Sequence, residues 1–199
     1  MSEAFFIFMA MVDYILALDE KLLLFINGLH SPWLDSIMFT LTDGKAWLPL
    51  FLTVVIFIFI KFKWKGFYVL LLVGLVIFVG DQLSSALLKP WVGRLRPSHQ
   101  PHLEGVLHIV NNYRGGLYSF VSSHATNSFA VATMLWLLLG KHYKWIGIFF
   151  GWAIIFSFTR VYLGVHYPGD VVAGALLGAA IAWGIYKLVQ KFAASAIPM

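Results

Sequence analysis

Long apolar stretches separated by short polar turns limit what this chain can fold into. Five of them are evident, at roughly Ala46–Ile60, Gly66–Leu88, Ala125–Gly140, Trp145–Leu163 and Val171–Tyr186. Charged residues make up only 12% of the chain and fall almost entirely between these stretches, whereas soluble domains contain about 25%. A helix needs about 20 residues to cross a bilayer, and each stretch reaches that length with its flanking residues. The pattern predicts an all-α, polytopic membrane helical bundle.

The N-terminal region follows this pattern less clearly. The apolar stretch Ala4–Leu18 runs into Asp19–Leu29, which mixes charged and apolar residues. Glu3 stands where a secretory signal carries basic residues, and no small-residue cleavage site follows, so we expect this region to remain in the mature chain. We interpret residues 1–42 as either a sixth span or a helix lying at the membrane interface. We favour about six transmembrane helices in a single membrane-embedded domain, residues 1–199.

Lysines mark one side of the predicted bundle. They occur in two of the short turns and after the last apolar stretch, at Lys61, Lys63, Lys65, Lys141, Lys144, Lys187 and Lys191. By the positive-inside rule this side is cytoplasmic. The opposite side receives the long segment Lys89–Ser123 and the turn Gly164–Asp170. Basic residues in these two segments run against the rule, which indicates a functional site on the outer face.

The composition argues against several kinds of site. The chain has no cysteine, which excludes disulfides and thiolate metal sites. Topology and one anion site explain the net charge of +5, so we expect no nucleic-acid partner. The loop histidines His99, His102 and His108 have a spacing that matches no known metal-ligand pattern, and Glu104 is the one acid near them in the sequence. We therefore expect no metal and no cofactor.

Three clusters of polar residues border the apolar stretches on the outer face. They contain Lys89, Arg94 and Arg96, then Ser122, Ser123 and His124, and finally Thr159, Arg160, His166 and Asp170. Ser122 or Ser123 stands at an N-cap position, and the helix end behind it offers free N–H groups to a phosphate. Lys89, Arg96 and Arg160 supply fixed cations, with ordinary interfacial snorkelling as the alternative for the first two. Arg160 lies near the end of an apolar span, where a charge is costly and usually marks function.

The third cluster has the spacing of an activated nucleophile. His166 and Asp170 are four residues apart, and Pro168 suits the first turn of the following helix. This spacing lets Asp170 accept the Nδ1 proton of His166, which leaves a neutral, oriented Nε2. His124, on a different helix, is placed to protonate a leaving oxygen. Alone it would be interpreted as a capping or core histidine, and the pairing with His166 favours catalysis.

Two further charged residues, Asp81 and Arg94, lie close to or within the first cluster in the sequence. Asp81, Ser85 and Lys89 share one helical face by their spacing. We interpret Asp81 as a residue that orients the basic groups of the site. Arg94 either contacts a second phosphate or a lipid headgroup, or is a solvated loop charge.

The motifs of this chain resemble those of one known family. Lys89–Pro97 reads K-x-x-x-x-x-x-R-P, Ser122–His124 resembles the end of P-S-G-H, and Thr159–Asp170 resembles S-R-x-x-x-x-x-H-x-x-x-D. In this order they resemble the type-2 phosphatidic acid phosphatase superfamily, which also includes vanadium haloperoxidases. The resemblance covers about residues 81–186. Val121, Ser123 and Thr159 depart from the motif proline, glycine and serine, and none of these changes removes a charged or imidazole group.

The resemblance implies a site and a chemistry. The implied catalytic residues are His166, His124 and Asp170, and the implied phosphate-binding residues are Lys89, Arg96, Ser122, Ser123 and Arg160. His166 would form a phosphohistidine, and His124 would act as general acid and then as general base. The implied enzyme is a metal-independent lipid phosphatase that needs no cofactor.

The small size and absence of a soluble domain are similar to bacterial members of the family. This resemblance implies a multi-pass protein of the bacterial inner membrane, with its site facing the periplasm or exterior. The preferred substrate is undecaprenyl diphosphate; the alternatives are phosphatidylglycerophosphate, phosphatidic acid or the 1-phosphate of lipid A. A vanadate-dependent haloperoxidase and a non-catalytic binder of phosphorylated lipid are weaker alternatives. The expected partners are a phosphorylated membrane lipid and the bilayer.

Overall fold

The computed structural model describes residues 3–192, and they form a bundle of α-helices. The helices are α1 (Glu3–Gly28), α2 (Pro32–Leu41), α3 (Leu48–Phe62), α4 (Gly66–Asp81), α5 (Lys89–Val92), α6 (Ser123–Leu139), α7 (Ile148–Tyr162) and α8 (Pro168–Phe192). A π-helical segment, Gln82–Leu88, joins α4 to α5 without a break. Residues 1–2 and 193–199 of the predicted domain lie outside the described residues.

Four of the five apolar stretches lie in helical segments long and apolar enough to cross a bilayer. Among residues 3–192, three such segments qualify: Gly44–Val92, Lys144–Tyr162 and Pro168–Phe192. The first contains 49 residues, far more than the ~20 that one crossing needs. It reverses direction at Lys63, whose φ is 48°, so α3 and α4 lie side by side. The all-α membrane bundle is confirmed, and the count of six spans stays a prediction.

The N-terminal region is one long helix followed by a short one. Asp19–Leu29 does not form a separate element, because α1 runs without interruption for 26 residues up to Gly28. Leu23 is fully buried, and Asn27 is almost completely buried beside it. The Asn27 amide donates to the backbone carbonyls of His108 and Tyr162 at 2.9 and 2.8 Å. These contacts attach α1 to the outer loop and to the end of α7.

Helix α6 lies at the centre of the bundle and packs on α4, α7 and α8. Its contact with α8 is close because two glycines of α8 face it. A Cβ atom at Gly178 would lie 2.0 Å from the Thr126 carbonyl oxygen, and one at Gly174 would lie 2.6 Å from that of Ser122. Small residues let two helix backbones approach in this way. This packing brings the start of α6, with His124, next to the start of α8, with Asp170.

The lysine-rich turns and the predicted site lie at opposite ends of the bundle. The last two turns of α3 contact the turn between α6 and α7, where the Phe57 ring lies 4.8 Å from Tyr143 and 5.0 Å from Trp145. The predicted site lies at the other end of α6, whose 17 residues rise about 25 Å. The charge asymmetry of the sequence therefore corresponds to two separate ends of the structure.

Replacing Gly178 with alanine is expected to destabilise the bundle. The new methyl group would meet backbone atoms of Thr126 and Ala130 at 2.0 and 2.9 Å, and these atoms move only if α6 and α8 separate. Overpacking of this kind costs about 1–3 kcal/mol, so the thermal midpoint in detergent should fall by several degrees. Gly184→Ala is the matched control, because no atom lies within 4 Å of its added Cβ. Equal midpoints for the two variants would contradict this account of the packing.

Candidate active site

The long loop between α5 and α6 brings the first two motifs together. Leu95 pairs with Tyr118 in an isolated β-bridge. On either side of it, the Arg96 N–H donates to the Leu117 carbonyl at 3.0 Å, and the Ser119 N–H donates to the Arg94 carbonyl at 2.8 Å. The loop therefore closes on itself, and the basic residues that follow α5 lie beside the residues that precede α6.

The turn between α7 and α8 holds the predicted nucleophile. His166 is 1% exposed and Asp170 is fully buried. The His166 Nδ1 lies 3.4 Å from Asp170 Oδ2, which is longer than a typical N–H···O hydrogen bond. The same carboxylate oxygen accepts the Tyr167 N–H at 3.0 Å. Helix α8 begins at Pro168, so the Asp170 carboxylate stands in its first turn as predicted.

His166 is held in its neutral form. Burial, and then the positive charges of Arg96, Arg160 and Lys89, hold the pKa of His166 well below its usual range. A ring nitrogen that is unprotonated at neutral pH retains a lone pair for attack on phosphorus. The environment thus suits a nucleophile better than it suits a cation.

Lys89, Arg96 and Arg160 form a group of three cations, here called the cradle. Arg96 and Arg160 are almost completely buried, and the three charges repel one another. Arg96 is held by backbone oxygens, since its Nε donates to Tyr118 O at 3.1 Å and its Nη1 to Val165 O at 3.3 Å. Burial, and then the charge of Arg160, lower the pKa of Arg96 to about 10, so it remains charged at neutral pH.

Arg160 is fixed by two residues that the sequence analysis missed. Its Nη1 donates to the Thr42 hydroxyl at 2.6 Å, and its Nη2 donates to the Tyr113 hydroxyl at 2.8 Å. Its Nε is buried and has no hydrogen-bond partner among residues 3–192. A buried donor left unpaired is costly. An unpaired Nε–H is expected here if an oxygen of a bound ligand accepts from it.

Lys89 is connected to Asp81 through hydroxyl groups. The Lys89 ammonium donates to the Ser123 hydroxyl. Ser123 lies 2.8 Å from the Ser85 hydroxyl, which donates to Asp81 Oδ1 at 2.9 Å. Asp81 thus reaches the site through two serines, in keeping with its predicted orienting role. The serine that replaces the motif glycine supplies the middle of this chain.

The start of α6 carries His124 and its cap. Ser122 is the N-cap, and its hydroxyl accepts the Ala125 N–H at 3.4 Å. The Ser122 N–H donates to the Asp170 carbonyl at 3.1 Å, which joins the second motif to the third. The His124 ring stacks on Phe156 at 4.9 Å between centroids. The charges of all three cradle cations act on this ring. The predicted residues of all three motifs therefore converge at one end of the bundle.

Arg94 is neither a solvated loop charge nor a free cation. Its Nη1 lies 2.8 Å from Asp170 Oδ1, and its Nη2 lies 2.8 Å from Asp19 Oδ2. Two carboxylates therefore share the guanidinium. Neither interpretation of Arg94 from the sequence predicted this pairing with two carboxylates.

The loop histidines do not form a common site. His99 approaches the Gly115 carbonyl, His102 pairs with Glu20, and His108 pairs with Asp35 at 2.7 Å. His30, Asp35 and His108 do place possible metal-ligand atoms within 4.8 Å of one another. The two imidazoles stack 3.8 Å apart and nearly parallel, so their in-plane lone pairs do not converge on one point. Asp35 also accepts a hydrogen bond from the Tyr162 hydroxyl at 2.6 Å, so the contacts of this carboxylate have a structural explanation.

Comparison with known proteins agrees with this geometry. The family model of the PAP2 superfamily matches residues 62–194. The chain is 40% identical over 187 residues to the lipid A 4′-phosphatase of Bacteroides thetaiotaomicron, covering 92% of this chain and 82% of the relative. It is 32% identical over 162 residues to phosphatidylglycerophosphatase B of Bacillus subtilis, covering 75% of this chain and 72% of the relative.

A solved structure shares the fold. The crystal structure of the transmembrane PAP2-type phosphatidylglycerolphosphate phosphatase from Bacillus subtilis superposes with a TM-score of 0.66 at 26% identity, covering 95% of this chain and 94% of the other. The helical bundle, the three motifs at one end of it and these similarities lead to one conclusion. The chain belongs to the PAP2 superfamily and is a membrane-spanning lipid phosphatase of that type.

Proposed function

We propose that this phosphatase hydrolyses a phosphate monoester of a membrane lipid in two steps, through a phosphohistidine on His166 and without a metal ion. The observation that carries the proposal is a buried, neutral imidazole on which three fixed cations act. Asp170 lies on its Nδ1 side, which leaves Nε2 for the substrate.

The first step forms the phosphoenzyme. The Nε2 lone pair of His166 attacks phosphorus, and the bond between phosphorus and the lipid oxygen breaks. His124, protonated once the phosphate dianion offsets the charges of the cradle, gives its proton to that oxygen, so the lipid leaves as an alcohol. In the second step His124 takes a proton from water, the water oxygen attacks phosphorus, and phosphate leaves His166. The cycle returns both imidazoles to their starting protonation states.

The cradle supplies electrostatic stabilisation in both steps. Its three cations place an excess of positive charge in the site, which a phosphate dianion would largely offset. Because these donors are fixed in advance, they need no reorganisation during the reaction. The buried Nε–H of Arg160 is a donor available to a phosphoryl oxygen. Thr42 and Tyr113 keep the remainder of that guanidinium in place. The hydroxyl of Ser123 does the same for the Lys89 ammonium.

A glycolipid phosphomonoester of the lipid A type is the substrate we favour. The similarity to a lipid A 4′-phosphatase extends over 92% of the chain. Undecaprenyl diphosphate, which the motif resemblance favours, carries a second phosphoryl group that needs further cations. Arg94, the nearest candidate in the sequence, is already paired with Asp19 and Asp170. The cradle is therefore suited to one phosphoryl group.

We place this activity in a single domain of the bacterial inner membrane, with the site facing the periplasm or exterior. The lysine-rich turns lie at the end opposite the site, which supports that orientation through the positive-inside rule. The N-terminal helices belong to the same domain, because Thr42 and Asp19 contact residues of the motifs.

Purified protein should prefer a lipid A phosphomonoester to a diphosphate lipid. The test measures phosphate release in detergent from lipid A, phosphatidylglycerophosphate and undecaprenyl diphosphate at equal surface concentration. Because the cradle suits one phosphoryl group, kcat/KM for lipid A should exceed that for undecaprenyl diphosphate by about tenfold, or 1.4 kcal/mol. The reverse order would restore the diphosphate as the preferred substrate.

Replacing His166 with alanine should abolish turnover. Loss of the nucleophile removes the covalent route, so the rate should fall by at least about 10³-fold, the scale seen for other catalytic groups that act as a unit. Wild-type enzyme quenched during turnover of ³²P-labelled lipid should carry an acid-labile, alkali-stable label that the variant lacks. EDTA should leave wild-type activity unchanged. Residual turnover near the wild-type rate, or loss of activity in EDTA, would count against the proposed mechanism.

The acid limb of the pH–rate profile should lie below the usual range of histidine. Because the folded environment lowers the pKa of His166, its ring stays unprotonated as the pH falls through about 6.5, the ordinary value. Protonation, and loss of the nucleophile, should begin only at lower pH. We expect kcat/KM to be retained from pH 7 to about pH 5.5, where a histidine of ordinary pKa would be mostly protonated. A tenfold fall over that interval would contradict a depressed pKa.

A further inference from the structure

Arg94 lies between two carboxylates that belong to opposite ends of the sequence. Its two terminal nitrogens each lie 2.8 Å from an oxygen, one of Asp19 in α1 and one of Asp170 in α8. The guanidinium carbon stacks 3.7 Å from the centre of the Tyr167 ring. A planar guanidinium held on both edges and on one face has little freedom to rotate. Asp19, Arg94 and Asp170 are here called the clamp.

The clamp holds the carboxylate that faces the nucleophile. Asp170 Oδ1 accepts from Arg94, while Asp170 Oδ2 accepts the Tyr167 N–H and faces His166 Nδ1. Each carboxylate oxygen therefore has a defined partner. A fully buried carboxylate is costly unless it is paired, and Arg94 is the cation that pairs with Asp170 among the described residues.

Asp19 makes a second contact that acts on the same turn. Its Oδ1 accepts the Gly169 N–H at 2.7 Å, and Gly169 directly precedes Asp170. A Cβ atom at position 169 would lie 2.9 Å from Asp19 Oδ2, so glycine permits this approach. One carboxylate of α1 thus fixes both Arg94 and the first turn of α8. Asp19 is only 11% exposed and lies outside residues 62–194, the part matched by the family model.

We propose that Asp19 and Arg94 are positioning residues for the reaction. Together they set the direction of the Asp170 carboxylate, and through it the ring orientation and tautomer of His166. This inference rests on the proposed function, in which His166 attacks phosphorus. The side chains of both residues are engaged by protein partners, so we expect them to contribute to the chemical step and not to lipid binding.

Asp19→Asn is the principal test, because it keeps the size of the side chain and removes its charge. Asparagine keeps one accepting oxygen, and its amide nitrogen can accept from neither Arg94 nor Gly169, so Asp170 should lose its alignment. Outer partners of metal-ligating residues typically contribute about 10–100-fold to metal affinity or activity, and we expect a positioning residue here to act on the same scale. We expect kcat on detergent-solubilised lipid phosphate to fall by about that factor, with KM within about twofold of wild type. The rate of phosphoenzyme formation in a single turnover should fall in parallel.

Glu20→Gln is the matched control. Glu20 is the next residue of α1 and also ties the helix to the outer loop, through a 2.9 Å contact with the exposed His102. It reaches no residue of the clamp, so its loss tests whether any weakened attachment of α1 lowers kcat. A wild-type kcat for Glu20→Gln beside a reduced kcat for Asp19→Asn supports positioning. Equal losses in the two variants, or an unchanged kcat for Asp19→Asn, overturns it.

Asp19→Glu provides a second variant if the asparagine protein does not elute as a single folded peak. It retains the charge and moves the carboxylate by one methylene. We expect a smaller fall in kcat, about three- to tenfold on the same scale, again at constant KM; an unchanged kcat would refute the proposal. His166→Ala, measured in parallel, separates this proposal from the one on which it rests. If that variant retains turnover the nucleophile is wrong, whereas a dead His166→Ala beside an active Asp19→Asn rejects the clamp alone.

Discussion

Mutual repulsion among three neighbouring cations, two of them buried, is the constraint on which the rest of the site depends. Lys89 and Arg96 come from the first motif and Arg160 from the third, and their charges act on one another. Holding them together at the end of a membrane bundle requires oxygen acceptors from many places. Backbone carbonyls hold Arg96, hydroxyls hold Arg160, and a serine holds Lys89. Two of these acceptors, the Tyr118 carbonyl and the Tyr113 hydroxyl, belong to the outer loop, which therefore helps to hold the cations in place.

Close packing of α6 against α8 also brings the parts of the site together. Gly174 and Gly178 let α8 approach α6 until backbone nearly touches backbone. The Ser122 N–H then reaches the Asp170 carbonyl, so the helix that carries His124 and the turn that carries His166 are joined directly. The small residues of the apolar spans thus set the separation of the two imidazoles. Site chemistry and membrane packing are determined by the same contact.

The local placement of the motif residues was predictable from the sequence, because their spacing is short. His166 and Asp170 are four residues apart, and Ser122 stands directly before the helix that it caps. The helical segments were also predictable from hydropathy. Thr42 was not, since its partner Arg160 is 118 residues away and nothing near Thr42 in the sequence indicates an arginine. Tyr113 was missed for the same reason, as one aromatic residue among many.

The N-terminal region shows a signal that was present but not recognised. Asp19, Asn27, Asp35 and Thr42 are polar residues spaced about two helical turns apart in an apolar region. Each contacts the outer loop or the end of α7, as when Asp35 accepts the Tyr162 hydroxyl at 2.6 Å. Polar groups facing a membrane interior are costly unless they are paired. Each of these polar residues therefore indicates a point where the N-terminal helices contact a polar partner.

The position of Arg94 between two acids has a consequence for biogenesis. Asp19 and Arg94 are separated by 75 residues, and both are synthesised before Asp170, which follows Arg94 by another 76. An ion pair between α1 and the first outer loop can therefore form while α8 is still being made. The carboxylate of Asp170, which is synthesised later, then pairs with the Arg94 guanidinium that Asp19 already orients. A chain that ends before the third motif therefore retains the pair of Asp19 and Arg94 but lacks both the imidazole that attacks phosphorus and the carboxylate that faces it.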